Sequence, residues 1–129
     1  MLAIAGIDTI FLLSPTTTDP RLRKAAEFGS GFLYGISRLG VTGARAQVAS
    51  GAEALVRRVR AQTAMPIALG FGISRPEHVA EVCAYADAAV VGSALVSVIA
   101  EGSGTPDLIP RVEHYVQWLR GASALNAHA

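Results

Sequence analysis

Four short apolar runs, at residues 7–13, 32–36, 66–69 and 88–91, are each followed by a stretch with helical periodicity. This alternation limits the fold more than any other feature of the chain. Each run is nearly continuous rather than alternating, as expected of parallel strands covered on both faces. After the first run, Thr18-Asp19-Pro20 predicts an N-cap with a proline at the start of a helix, and Leu22, Ala25, Ala26 and Gly29 mark one face. After the second, a glycine-bearing stretch leads to Ser50-Gly51-Ala52-Glu53, which reads as a capping box; Ala52, Leu55, Val56 and Val59 would face inward. Ser74-Arg75-Pro76-Glu77 repeats the box after the third run, with Val79, Val82, Cys83 and Ala86 on the inner face. The fourth run precedes a short apolar helix over residues 94–100. A longer helix then opens at Thr105-Pro106-Asp107 and would bury Leu108, Val112, Tyr115, Val116 and Leu119.

Strands alternating with helices in this order predict an α/β fold with a parallel sheet and right-handed crossovers. Two architectures satisfy the pattern: an open doubly wound sheet, or half of a (βα)8 barrel. Periodicity does not separate them.

With 51% hydrophobic residues in 129, the chain can bury a core, and one domain is expected. Eleven basic against ten acidic side chains, with no Lys/Arg cluster, argue against nucleic acid as a partner. A single cysteine, Cys83, excludes an intramolecular disulfide and fits a reducing, cytoplasmic setting. The apolar start of the chain has no basic n-region, is interrupted by Asp8 and is too short for a membrane span, so it reads as a buried strand and no membrane association is expected.

Ligands of parallel α/β folds bind beyond the carboxyl ends of the strands. Those ends read Ser14-Pro15-Thr16-Thr17, then Ser37 through Gly43, then Gly70-Phe71-Gly72-Ile73-Ser74, and finally Gly92-Ser93. Glycines and hydroxyls dominate and carboxylates are nearly absent. Glycine lets backbone N–H groups approach a ligand, and a helix N-terminus adds partial positive charge, so the composition suits an oxyanion such as phosphate. Gly70 and Gly72 would equally serve a plain strand-to-helix turn, and Ser93 a plain N-cap. A surplus short helix beginning at Ser93, beside a glycine loop on the preceding strand, favours the phosphate reading.

The remaining candidates are weaker. His78 and His114 fall on polar helical faces and His128 in the tail, so no metal site is expected. Cys83 reads as a small buried hydrophobe and Trp118 as packing. Tyr34, near the carboxyl end of its strand, would face either core or ligand. Asp19 is explained by its place at a helix start. No pair of acids suited to general acid–base work is present. Residues 39–50 are expected to form a mobile loop.

The stretches "DTIFLLSPTTTDPRL", "GFLYGISRLGVTGAR", "PIALGFGISRPEHV" and "AAVVGSALV" together resemble the carboxyl-terminal half of the tryptophan synthase α subunit, over essentially the whole chain. "SRLGVTGAR" after "GFLYGIS" is the discriminating piece. The resemblance implies βα units 5 to 8 of a TIM barrel over residues 1–121, with a disordered tail at 122–129. It implies retro-aldol cleavage of indole-3-glycerol phosphate to indole and glyceraldehyde-3-phosphate, in tryptophan biosynthesis. Gly43, Gly72, Gly92 and Ser93 would hold the substrate phosphate and Phe71 would line the site. Tyr34 would orient the catalytic glutamate and Thr42 would engage the catalytic aspartate. Both acids belong to the amino-terminal half in this family, so the resemblance implies a fragment that lacks the proton-transfer groups and is inactive alone. It implies no cofactor, since pyridoxal phosphate belongs to the β subunit, the expected partner. Open sheet edges would also favour self-association.

Overall fold

The computed structural model describes residues 2–36, 45–70 and 72–121. Its four strands are β1 (Leu12–Leu13), β2 (Leu33–Ile36), β3 (Ile67–Gly70) and β4 (Ala88–Val90). They form one parallel sheet in the order β1-β2-β3-β4. Connecting them are α1 (Asp19–Phe28), α2 (Arg45–Arg60) and α3 (Pro76–Cys83), and β4 leads to α4 (Ser93–Gly102) and α5 (Leu108–Leu119). A doubly wound sheet reverses its strand order at a switch point. This one never reverses, and the architecture is half of a (βα)8 barrel.

The pairing register assigns the two faces. Leu33 pairs with Ile67 and Gly35 with Leu69, so these residues share a face. That face is the core: Leu13, Leu33, Ile67 and Leu69 pack with Leu22 and Ala25 of α1, Leu55, Val56 and Val59 of α2, and Val82 of α3. The other face carries Leu12, Tyr34, Ile36, Ala68, Gly70, Ala88 and Val90. Helices therefore cover the sheet on one side, and the expectation of cover on both is corrected: Leu12 is 62% exposed on the other. In a closed barrel that face is the interior.

Several local expectations are also corrected. The first run pairs over only two residues, because most of it extends beyond the start of β2 at Leu33. Thr18 is the N-cap of α1 by backbone geometry, but its side chain makes no capping hydrogen bond. Ser50 lies inside α2 rather than at its start, since Arg45-Ala46-Gln47-Val48-Ala49 contains no helix breaker. The expected loop at 39–50 is thus helical from Arg45; its earlier part lies outside the described residues, as does the tail at 122–129. Cys83 is exposed because it stands about 100° round α3 from the buried Val82. On α5 only Leu119 is fully buried, Leu108, Val112 and Tyr115 are half-buried, and Val116 is exposed.

Asp87 ties the bottom of the sheet to α2. Its carboxylate accepts from the Ile67 backbone N–H at 2.9 Å and from Arg60 at 3.2 Å. The Ile67 bond above all holds its pKa below the ordinary carboxylate value; burial opposes this, and the Arg60 guanidinium adds to the lowering. A carboxylate whose folded pKa is depressed stabilises the fold above its unfolded pKa and loses that contribution as pH falls through the folded value. Asp87→Asn is therefore expected to lower the urea midpoint at neutral pH and to shrink the loss of stability between neutral and acid pH. An unchanged acid limb in urea titrations would count against this role.

Candidate functional site at the carboxyl end of the sheet

Gly70 pairs with Val90, so residues two positions further, Gly72 and Gly92, leave the sheet side by side on neighbouring strands. Gly72 has φ +75°, a left-handed conformation that side chains disfavour, and it is exposed. Gly92 is the N-cap of α4, and a Cβ built on it would meet nothing within 4 Å. Its carbonyl accepts from the N–H groups of Leu95 and Val96 at 3.0 and 3.1 Å. The N–H groups of Ser93 and Ala94 begin the helix and find no backbone acceptor among the described residues. Ser93 is exposed and follows the cap rather than being it; its carbonyl accepts from Ser97 Oγ at 3.0 Å.

Tyr34 lies on the open face of β2, half-buried, resolving the choice left open by the sequence in favour of the barrel interior. Its ring reaches across β3 over Gly70, where an added Cβ would come within 2.5 Å of Tyr34 Oη and 3.0 Å of Val90 Cβ. Glycine at this position is what lets the tyrosine lie flat on the sheet. Gly70→Ala is expected to displace the Tyr34 ring at a cost of about 1–3 kcal/mol. Tyr34 ring resonances unshifted in the variant's NMR spectrum would refute the contact. Thr42, Gly43 and Phe71, the other candidates, lie outside the described residues.

The loop after β3 is held by two side chains that its local sequence does not announce. Instead of forming the expected capping box, Ser74 donates its backbone N–H to His78 Nδ1 at 3.3 Å, and its carbonyl accepts from Tyr115 Oη at 2.9 Å. Arg75 becomes the N-cap of α3, without a side-chain bond. His78 thus closes the turn rather than resting on a solvated face, and Tyr115 ties α5 to the loop that follows Gly72. The loop after β1 is anchored similarly: Arg58 of α2 bonds the Pro15 and Thr17 carbonyls and forms an ion pair with Asp19 at 2.7 Å. Ser14 Oγ and Thr16 Oγ1, 2.9 Å apart, add hydroxyls to the same end of the sheet.

Among the described residues no group of three or more His, Cys, Asp or Glu could hold a metal ion, and no helix is long and apolar enough to cross a membrane. Among the described residues, the strand ends offer backbone amides, hydroxyls and one phenol, and the nearby Asp19 carboxylate is engaged by Arg58.

Sheet order, one-sided helical cover and a glycine-built carboxyl end define a segment of a (βα)8 barrel. The chain belongs to the tryptophan synthase alpha chain family, whose family model matches residues 1–123. It is 43% identical over 115 residues to the tryptophan synthase alpha chain of Solibacter usitatus, covering 89% of this chain and 43% of that protein. To that of Methanosarcina acetivorans it is 56% identical over 100 residues, covering 77% and 36%. The tryptophan synthase α2β2 complex of Pyrococcus furiosus contains a similar chain, with TM-score 0.77 and 37% identity over 92% of this chain and 48% of that one. The chain thus spans less than half the length of these relatives.

Proposed function

We propose that this chain forms the phosphate-gripping part of an indole-3-glycerol-phosphate lyase of the tryptophan synthase α type. The observation that carries the reading is the pair of glycines leaving adjacent strands: Gly72 at φ +75° and Gly92 opening α4 with space around it. A phosphate seated there would accept from the Ser93 and Ala94 amides and the Ser93 hydroxyl, and Gly43 would close on it from the segment after β2. Tyr34 and Phe71 would bound the space for the indole and glycerol parts, and Thr42 would engage the catalytic aspartate when its loop closes.

Carbon–carbon cleavage requires a proton delivered to the indole ring and one taken from the glycerol hydroxyl. The glutamate and aspartate that the resemblance assigns to these tasks lie outside the 129 residues, so the chain alone is proposed to bind without turnover. Its partner would be the β subunit, which carries pyridoxal phosphate, in the cytoplasm. The test is calorimetric titration with glyceraldehyde-3-phosphate and with its unphosphorylated analogue, alongside an assay for indole released from indole-3-glycerol phosphate. Binding that requires the phosphate, without indole release, is expected. Equal affinity for both compounds would overturn the phosphate grip, and indole release would overturn the assignment of chemistry to other residues.

A further inference from the structure

We infer that Tyr115 is a positioning residue for the phosphate grip: through the Ser74 carbonyl, its hydroxyl fixes the Gly72 loop relative to the start of α4. The inference rests on the phosphate reading of Gly72, Gly92 and Ser93. It adds to that site a residue of α5 that the sequence marks only as a core position.

The Gly72 loop needs a hold from outside itself. The sheet ends at Gly70 and α3 begins at Pro76, and among the described residues no backbone–backbone hydrogen bond holds residues 72–74. Gly72 sits in the left-handed region at φ +75°, with no side chain to anchor it. Three contacts just downstream restrain it instead. Ile73 is buried in the core, the Ser74 N–H is donated to His78 Nδ1 at 3.3 Å, and the Ser74 carbonyl accepts from Tyr115 Oη at 2.9 Å. The first two tie the loop to the core and to α3. The third ties it to α5.

That helix also packs on α4, whose first amides form the other wall of the grip. The end of α4 and the start of α5 are in close contact: a Cβ added at Gly102 would come within 3.0 Å of Leu108 Cδ1 and 3.4 Å of Arg111 Cδ. Thr105 Oγ1 closes the turn between them by donating to the Gly102 carbonyl at 2.7 Å. One helix thus holds both walls of the phosphate space, α4 by packing and the Gly72 loop by the Tyr115 bond. A grip built mainly from backbone amides adjusts little to a displaced ligand, so its affinity depends on the spacing of those walls. Tyr115 is itself well placed for the task. It is half-buried with its ring centroid 5.7 Å from that of Trp118, and burial pushes its pKa up, so the hydroxyl keeps the proton it donates.

Tyr115→Phe removes the hydroxyl and keeps the ring beside Trp118. Calorimetric titration with glyceraldehyde-3-phosphate is expected to show affinity weakened about 3- to 10-fold, the range set by one neutral hydrogen bond. The amide resonances of Gly72 and Ser74 should move in the variant's NMR spectrum. Val112→Ala truncates a half-buried α5 side chain that cannot hydrogen-bond Ser74, so it should lower stability and leave the affinity unchanged. Wild-type affinity in Tyr115→Phe, with binding still lost in Gly92→Asp, overturns the inference and leaves the phosphate grip standing. Affinity that falls in Val112→Ala as it does in Tyr115→Phe, in proportion to lost stability, makes Tyr115 a structural residue and overturns the inference too. No binding by the wild type, or binding that Gly92→Asp leaves intact, removes the grip itself, and the inference falls with it.

Discussion

Replacing Gly92 by aspartate is expected to weaken binding of a phosphate monoester at least about 100-fold. The size follows from the two helix-opening amides of Ser93 and Ala94, since each hydrogen bond to a charged group contributes about 1.5–3 kcal/mol and 1.4 kcal/mol is a factor of ten. A carboxylate on residue 92 both competes for those amides as an acceptor and repels the phosphate dianion. Space does not oppose the substitution: a Cβ at residue 92 would meet nothing within 4 Å. Loss of binding can therefore be separated from loss of structure. Gly92→Asn, of nearly the same shape without the charge, should retain most of the affinity. Calorimetry on both variants, with circular dichroism to verify the fold, supplies the measurement; equal affinities for wild type and Gly92→Asp would move the phosphate elsewhere.

Gly72 and Gly92 were legible as the glycines of a strand exit and a helix start because their neighbours in the sequence mark a strand just ending and a helix just beginning, and both features are local. The core was legible for a similar reason. Ala52, Leu55, Val56 and Val59 repeat at helical spacing, and all four are buried. What the sequence does not carry is information about partners distant along the chain. Ser74-Arg75-Pro76-Glu77 has the residues of a capping box, yet the Ser74 carbonyl is taken by Tyr115, 41 residues away, and the local motif loses to the tertiary contact. The uncovered face has the same origin. A continuous apolar strand reads alike whether its second face meets helices or a barrel interior, so 66–69 and 88–91 looked like strands covered on both sides. Arg58 was missed because one arginine beside an apolar helical stripe is an ordinary solvated neighbour until the loop it grips is in place.

Leu69 and Gly35 are expected to behave as one unit in stability measurements. Leu69 is 2% exposed, and its Cδ2 occupies the space above Gly35 that a side chain there would fill, with Leu55 Cδ2 of α2 3.4 Å from the same point. Leu69→Ala therefore leaves a void over a residue that has no side chain to relax into it, and the cost should fall in the upper part of the range of about 2–5 kcal/mol for such truncations. Out of a total stability of about 5–15 kcal/mol, this is a large loss for a half-barrel. Gly35→Ala alone drives a methyl group into Leu69 and should cost about 1–3 kcal/mol. Combined, the two changes compensate, because the new methyl group enters the volume that Leu69 has vacated. The double variant should thus be at least about 1 kcal/mol more stable than the sum of the single losses predicts, a coupling of the size seen for residues in direct contact. Urea unfolding of the four proteins measures the cycle directly. Additive losses would mean that Leu69 does not fill the space over Gly35, and that the close approach of α2 to β2 at this glycine has another cause.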